Sequence, residues 1–254
     1  MDLAICVVPA APVRKRPSHK VEMVNQLLFG ERMVVLKKKN NWWRIQTTHD
    51  NYEGWIRNNL VTCDEAISGI QSDESISSEL FGSITIDEIK MHISMGCNLP
   101  HLTKEFGLIG QSKYVYRGHT MKRNEVHAGG EATCRLAMQW LNAPYLWGGR
   151  TPLGVDCSGF VQVVFKVIGL DLLRDAKQQV GQGMKVKKLS DARAGDLAFF
   201  EKKKKVTHVG ILLSADKIIH ASGKVRIDSI DEKGIINADT RKRTHSLAAI
   251  RRYW

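Results

Sequence analysis

Short bursts of apolar residues, broken by turn formers, pattern the first quarter of the chain. Residues 3–8, 33–36, 42–47 and 52–56 carry β-branched and aromatic side chains, and Gly30-Glu31 and His49-Asp50-Asn51 interrupt them. That pattern predicts strands joined by turns, and their close spacing predicts a small β-barrel rather than βαβ units. A polar stretch, 68–78, has the composition of a linker or loose loop. Residues 83–86 and 114–117 predict further strands, with Gly96, Pro100, Gly107, Gly110 and Gly118 as breaks. From Gly130 the period lengthens: Ala132, Leu136, Ala137, Trp140 and Leu141 keep one helical stripe until Pro144 ends it. Phe160, Val161, Val164, Phe165 and Ile168 fall at i, i+1, i+4, i+5 and i+8, a second helix with Gly169 suited to its C-terminal end. The valines at 161, 163, 164 and 167 also suit a strand, but the run is longer than a typical one. Residues 193–200 then read as turn and strand, and 206–213, 217–221 and 225–230 as further strands. Helices first and a meander afterwards predict an α+β domain, with helices packed on one side of an antiparallel sheet.

At 254 residues the chain can bury a sizeable core, in one large domain or two to three small ones. Its net charge of +12 suggests an anionic partner, but the basic residues lie in short clusters at 37–39, 202–205, 241–243 and 251–252. Solvated faces usually look like this, so the charge decides nothing alone. Five cysteines (Cys6, Cys63, Cys97, Cys134 and Cys157) stand far apart with no C-x-x-C pair. They form neither a disulfide framework nor a zinc pattern, and the odd count fits a reducing compartment. His92, His101, His119 and His127 show no metal-ligand spacing, and neither a metal nor another cofactor is expected. Residues 1–9 lack the basic region and long apolar core of a signal peptide, and no stretch approaches the ~18 apolar residues of a membrane span. The expected location is the cytoplasm, with no membrane partner.

The chemistry concentrates around Val155-Asp156-Cys157-Ser158-Gly159-Phe160, which follows a stretch dense in turn formers and opens the second predicted helix. With Asp156 as N-cap, Cys157 stands in the first turn, where unpaired N–H groups and the helix dipole favour a thiolate. The plainer reading of a lone cysteine is a small buried core residue. A cysteine nucleophile needs a base and usually a third group to orient that base. After Cys157 only His208 and His220 lie inside predicted strands, on neighbours joined by a short turn near Ala215-Asp216. An even hairpin register puts both side chains on one face at diagonal reach; an odd one separates them, each bonded within its own sheet.

Asp156-Cys157-Ser158-Gly159-Phe160, Gly195-Asp196-Leu197, His208-Val209-Gly210-Ile211 and Ile219-His220-Ala221 together resemble the NlpC-type, papain-like cell-wall cysteine peptidases, over about residues 130–225. Glu22-Met23-Val24, Trp42-Trp43 and Tyr52-Glu53-Gly54-Trp55-Ile56 resemble a bacterial SH3-like domain. The resemblance implies an SH3-like domain at 1–64, a possible second, degenerate one at 65–127, and the papain-like α+β catalytic domain at 128–254. It implies Cys157 as nucleophile, His208 as base, His220 as its orienter, and Tyr145, twelve residues before the cysteine, as a donor to the oxyanion. The combination is similar to γ-D-glutamyl-L-diamino-acid endopeptidases of the dipeptidyl-peptidase VI type, which recycle wall peptides bearing a free N-terminal L-alanine. In those enzymes the barrel closes one end of the cleft. The substrate-binding positions it implies here are Glu22, Tyr52, Asp156, Ser158 and Asp175, with Ala176 where the family often has Ser. The alternatives are a related papain-like amidase or acyltransferase, and a non-catalytic module binding wall or nucleic acid. No RNA-binding aromatic motif supports nucleic acid. Neither the diamino acid (diaminopimelate or lysine) nor the oligomeric state is specified by the sequence.

Overall fold

The structure, a computed structural model, describes residues 2–64, 75–122 and 129–254, which divide into two units. The first comprises residues 1–126 together with 147–151. It opens with β1 (Asp2–Cys6), β2 (Ala10–Arg14), β3 (Met23–Leu28), β4 (Arg32–Lys39), β5 (Trp42–Thr47), β6 (Glu53–Arg57) and β7 (Val61–Cys63). These form one antiparallel sheet in the order β3-β2-β6-β5-β4-β1-β7. Ala4, Val13, Leu27, Met33, Ile45, Ile56 and Val61 meet in a single core. Every strand contributes an inward residue to it, as alternation around a small barrel requires.

Further strands follow: β8 (Ser75–Ser77), β9 (Phe81–Ile86), β10 (Ile89–Ser94), β11 (Asn98–Leu99), β12 (Gly107–Ile109), β13 (Ser112–Arg117) and β14 (Thr120–Lys122). They pair as a four-stranded sheet, β10-β9-β13-β12, and a three-stranded one, β11-β8-β14. Of the expected linker at 68–78, residues 68–74 lie outside the described residues, and 75–77 are strand. Ile76 is buried there, and the Ser77 hydroxyl donates to the Ser94 carbonyl at 2.7 Å, so this polar stretch is fixed by burial that its composition conceals. The expected domain boundaries after 64 and 127 adjoin or fall in segments outside the described residues. Phe29 meets Tyr114 edge-on at 5.8 Å, and the Asn98 amide donates to the Phe29 carbonyl at 3.0 Å. Next to it Gly30 has φ +73°, and a side chain there would collide with the Asn98 carbonyl.

A later segment completes this unit. Arg150, in β15 (Arg150–Thr151), is wholly buried and grips both oxygens of Glu31 at 2.7 and 2.9 Å. The same guanidinium donates to the Gln26 carbonyl at 2.8 Å, and the Trp147 indole donates to Glu22 at 2.9 Å.

The second unit holds residues 127–146 and 152–254. Its helices are α1 (Gly130–Met138), α2 (Cys157–Val167) and the single turn α3 (Ala176–Gln179), with β16 (Gly154–Val155) just before α2. The sheet comprises β17 (Met184–Val186), β18 (Leu197–Lys202), β19 (Lys205–Leu212), β20 (Lys217–Ser222), β21 (Lys224–Asp231), β22 (Gly234–Ile236) and β23 (Arg243–Arg252). Strands run antiparallel in the order β17-β23-β18-β19-β20-β21-β22, and β22 also pairs with β23. The expected meander is present and closes on itself. Long β23 takes β18 along one edge and β22, then β17, along the other. Ala198, Phe200, Leu212, Ile218, Ile230, Ile235 and Ile250 pack together within this sheet. Strand dominates the unit, with α2 as its principal helix.

α2 packs on β19 and β20, and each of its residues is buried, Gln162 and Lys166 included. A helix buried all round explains valines on every side of what reads as a one-faced stripe. α1 is shorter than the stripe that predicts it: Trp140 and Leu141 continue as turn, and Asn142 takes φ +68°. Trp140 nevertheless meets Phe160 of α2 edge-on at 5.8 Å.

Candidate active site

Cys157 stands at the very start of α2, as expected. The Asp156 carboxylate accepts from the Gly159 amide at 2.7 Å and caps the helix. Cys157 is 7% exposed, and burial pushes its thiol up to about 12, the Asp156 charge adding to the effect. The Val209 and Ser158 amides and the Arg174 charge oppose the rise without overcoming it. Burial thus opposes the preference for a thiolate that the helix start provides. The Val209 amide beside the sulfur also places Cys157 against β19, next to His208.

The β19–β20 hairpin sets Ile211 opposite Ile219 and Leu212 opposite Ile218, the even register. His208 and His220 therefore project from one face, and His208 Nε2 lies 2.8 Å from His220 Nδ1. Both rings are buried, His208 6% and His220 1% exposed. Burial drives the His208 pKa well below the usual imidazole value, and His220 and His245 push it further down. Two participants here are silent in the sequence. Asp228 Oδ2 lies 3.0 Å from His220 Nε2, and the His245 ring stacks on His208 at 4.2 Å between centroids. Asp228 sits on β21 two residues beyond Arg226, the direct partner of His220. That diagonal position becomes visible only once the register is known. His245 comes from distant β23, brought alongside by the closure of the sheet.

Tyr145 is half-buried, its amide donating to the Gly223 carbonyl at 3.0 Å. Burial, then the charges of Cys157 and Asp156, push its phenol up to about 12, so at neutral pH it is an O–H donor in the field of the cysteine.

The expected amine-binding residues of this unit each make bonds within it. The buried Arg174 clamps both Asp156 oxygens at 3.0 and 2.6 Å and donates to the Ser158 hydroxyl at 2.9 Å. Asp175 caps α3 in a reciprocal box with Gln178 and lies 3.4 Å from the Lys177 ammonium. In the first unit Glu22 keeps a half-exposed side chain, held by Trp147 and 3.8 Å from Lys15. Tyr52 is partly buried in the turn after Thr47, which its amide bonds at 2.7 Å. Among the described residues no group of three or more His, Cys, Asp or Glu is arranged to hold a metal ion, and no helix is long and apolar enough to cross a membrane.

A cysteine at a helix start whose sulfur meets the Val209 amide, one residue beyond His208, with His220 bonded to that imidazole, has the parts a cysteine peptidase needs: a nucleophile, a base and a group that orients the base. The chain belongs to the NlpC/P60 family: residues 142–244 match that family, and residues 13–59 match the bacterial dipeptidyl-peptidase Sh3 domain. It is 27% identical over 256 residues to dipeptidyl-peptidase 6 of Lysinibacillus sphaericus, covering 91% of this chain and 92% of that protein. To the gamma-D-glutamyl-L-lysine dipeptidyl-peptidase of Bacillus subtilis it is 30% identical, over 77% of this chain and 71% of the other. A solved NlpC/P60 family structure from Bacillus cereus shares the fold, with a TM-score of 0.84 over 99% of both chains at 20% identity.

Proposed function

We propose that this peptidase hydrolyses the γ-D-glutamyl-L-diamino-acid bond of small peptidoglycan peptides that carry a free N-terminal L-alanine. The observation that carries the reading is the His208–His220 contact at 2.8 Å on the face beside the Cys157 helix start. The names of the two long relatives supply the substrate class. The further assignment to muropeptide recycling in the cytoplasm draws support from five cysteines with no C-x-x-C pair, an odd count that fits a reducing compartment.

In this reading Cys157 Sγ attacks the γ-carbonyl of D-glutamate while its proton passes to His208 Nδ1, the nitrogen not engaged by His220. The Tyr145 phenol and backbone N–H at the start of α2 bind the developing oxyanion. His208 returns the proton to the departing amine of the diamino acid, and a water, activated by the same ring, releases the acyl group from the sulfur. Of the second unit, Asp156, Ser158 and Asp175 are the residues that recognise the amino end of the substrate in this reading. Asp156 and Ser158 do so through the Arg174 clamp, which fixes their orientation.

The test is direct. L-Ala-γ-D-Glu-diamino-acid peptides are incubated with the protein and products identified by mass, alongside Cys157→Ala and an N-acetylated peptide. The wild type should release L-Ala-D-Glu, the variant should release nothing, and acetylation should cost at least ~10²-fold in kcat/KM, since it removes the cation that the carboxylates match. Turnover by Cys157→Ala would end the nucleophile assignment, and equal cleavage of both peptides would end the amine reading.

A further inference from the structure

A histidine in the orienting position poses a problem that an amide does not. Imidazole can present either a donor or an acceptor at Nδ1, depending on which nitrogen carries its proton. If His220 donated from Nδ1, His208 Nε2 would have to accept. The His208 proton would then sit on Nδ1, the nitrogen meant to receive the thiol proton. Something must exclude that polarity.

Asp228 supplies the exclusion. It is 2% exposed, and its Oδ2 lies 3.0 Å from His220 Nε2. Burial alone would raise its pKa, but bonds from His220, the Ala238 amide and Arg226 hold it down at about 2, so the group is a carboxylate. A carboxylate only accepts. His220 Nε2 must therefore carry a hydrogen, a neutral His220 has a bare Nδ1, and His208 must donate to it from Nε2. His208 Nδ1 is left with its lone pair free.

We propose that Asp228 is a positioning residue: acting through His220, it dictates the tautomer of His208 and so makes Nδ1 the basic nitrogen. This rests on the reading of His208 as base. The groups around the relay suit the role. Arg226 on β21 donates to Asp228 Oδ1 at 3.1 and 2.9 Å and also pairs with Asp239, balancing the carboxylate charge. On β23 His245 covers one face of His208 and is itself depressed to about 4, by burial first and then by His220. On β18 Phe200 packs against the rings of His208 and His245.

The two oxygens of Asp228 are unequal, which gives the idea a sharp test. Oδ1 receives three donors, Arg226 Nε, Arg226 Nη2 and the Ala238 amide at 2.9 Å, whereas among the described residues Oδ2 faces His220 alone. An asparagine at this position must keep its oxygen toward the three donors. Its amide NH₂ then points at His220 Nε2 and reverses the relay. Asp228→Asn should therefore lower kcat by about 10²–10⁴-fold, the range of a general-base contribution, with KM nearly unchanged. It should be at least as damaging as Asp228→Ala, although it preserves the Arg226 and Ala238 bonds and hence the fold. ¹⁵N-edited NMR of the imidazoles, which needs no substrate, should show the His208 proton moving from Nε2 in the wild type to Nδ1 in Asp228→Asn. A merely structural Asp228 gives the opposite order, with alanine worse than asparagine. That order, or an unchanged His208 tautomer in Asp228→Asn, would overturn the proposal. Turnover by His208→Ala would instead refute the base itself, and the proposal with it.

Discussion

Removing Arg174 should loosen the helix that presents the nucleophile. Its guanidinium is 1% exposed and matches Asp156, itself 5% exposed, through two bonds of 2.6 and 3.0 Å. In Arg174→Met the carboxylate keeps the Gly159 amide at 2.7 Å and the Ser158 hydroxyl at 3.3 Å, but it loses its counter-charge in a site water scarcely enters. Breaking a buried pair from one side costs about 3–5 kcal/mol, because the surviving charge is left uncompensated. Amide hydrogen exchange along 157–167 reads that cost locally, without assuming that the two units unfold together. At about 1.4 kcal/mol per decade, the slowest α2 amides should exchange roughly 10²- to 4 × 10³-fold faster. Asp156→Asn with Arg174→Met should recover most of the loss, since no lone charge remains; the remainder is the weaker cap. If Arg174→Met shifted exchange by less than about threefold, the pair would not be a buried one and the argument would fail. If the double variant were as loose as the single one, the damage would be lost packing rather than unmatched charge.

Three further outcomes follow from the burial of titratable and charged groups. Because burial first, then His220 and His245, hold His208 well below its ordinary pKa, the base stays neutral as the pH falls. The acid limb of kcat/KM should lie below pH ~6.5, the ordinary imidazole value, and a limb at or above it would contradict the burial argument. The unfolded chain takes up these protons near pH ~6.5 while the folded one does not, so His208 and His245 stabilise the fold above that pH. Urea titrations should show stability falling as the pH drops below ~6.5 through the His245 value of about 4. In the first unit Arg150→Ala leaves the 1%-exposed Glu31 without its guanidinium, a loss of about 3–5 kcal/mol. Limited proteolysis should then cut within 2–64 readily, and unchanged resistance would show that the pair is dispensable.

What the sequence revealed was what lies close together along the chain. The Asp156 cap, the helix start at Cys157 and the strands bearing His208 and His220 are each set by a few neighbouring residues, and all are found where local pattern puts them. The burial of Cys157 was not legible, because it comes from β19 and from the packing around α2, which no local pattern contains. Asp228 was hidden for a related reason. In the run Arg226-Ile227-Asp228 nothing marks the carboxylate, and only pairing with β20 turns it toward His220. His245 and the closure of the sheet both depend on β23 returning beside β22 and β18, a long-range pairing. Arg150 stands between Gly149 and Thr151 with nothing local to mark it, and its partner Glu31 lies 119 positions away.

That last separation bears on how the protein is made and how it can be cut. Synthesis proceeds from the N-terminus, so the first barrel leaves the ribosome with Glu31 already in place and the arginine that matches it still to come. Until residue 150 emerges, the nascent barrel must either hold this carboxylate against water or stay partly open around it. A gene fragment ending at 126 would fix the chain at that stage permanently. The first unit is therefore not a cassette that shuffling can lift out whole: its last piece is encoded just ahead of the nucleophile, and an intact barrel is inherited only together with the start of the catalytic domain.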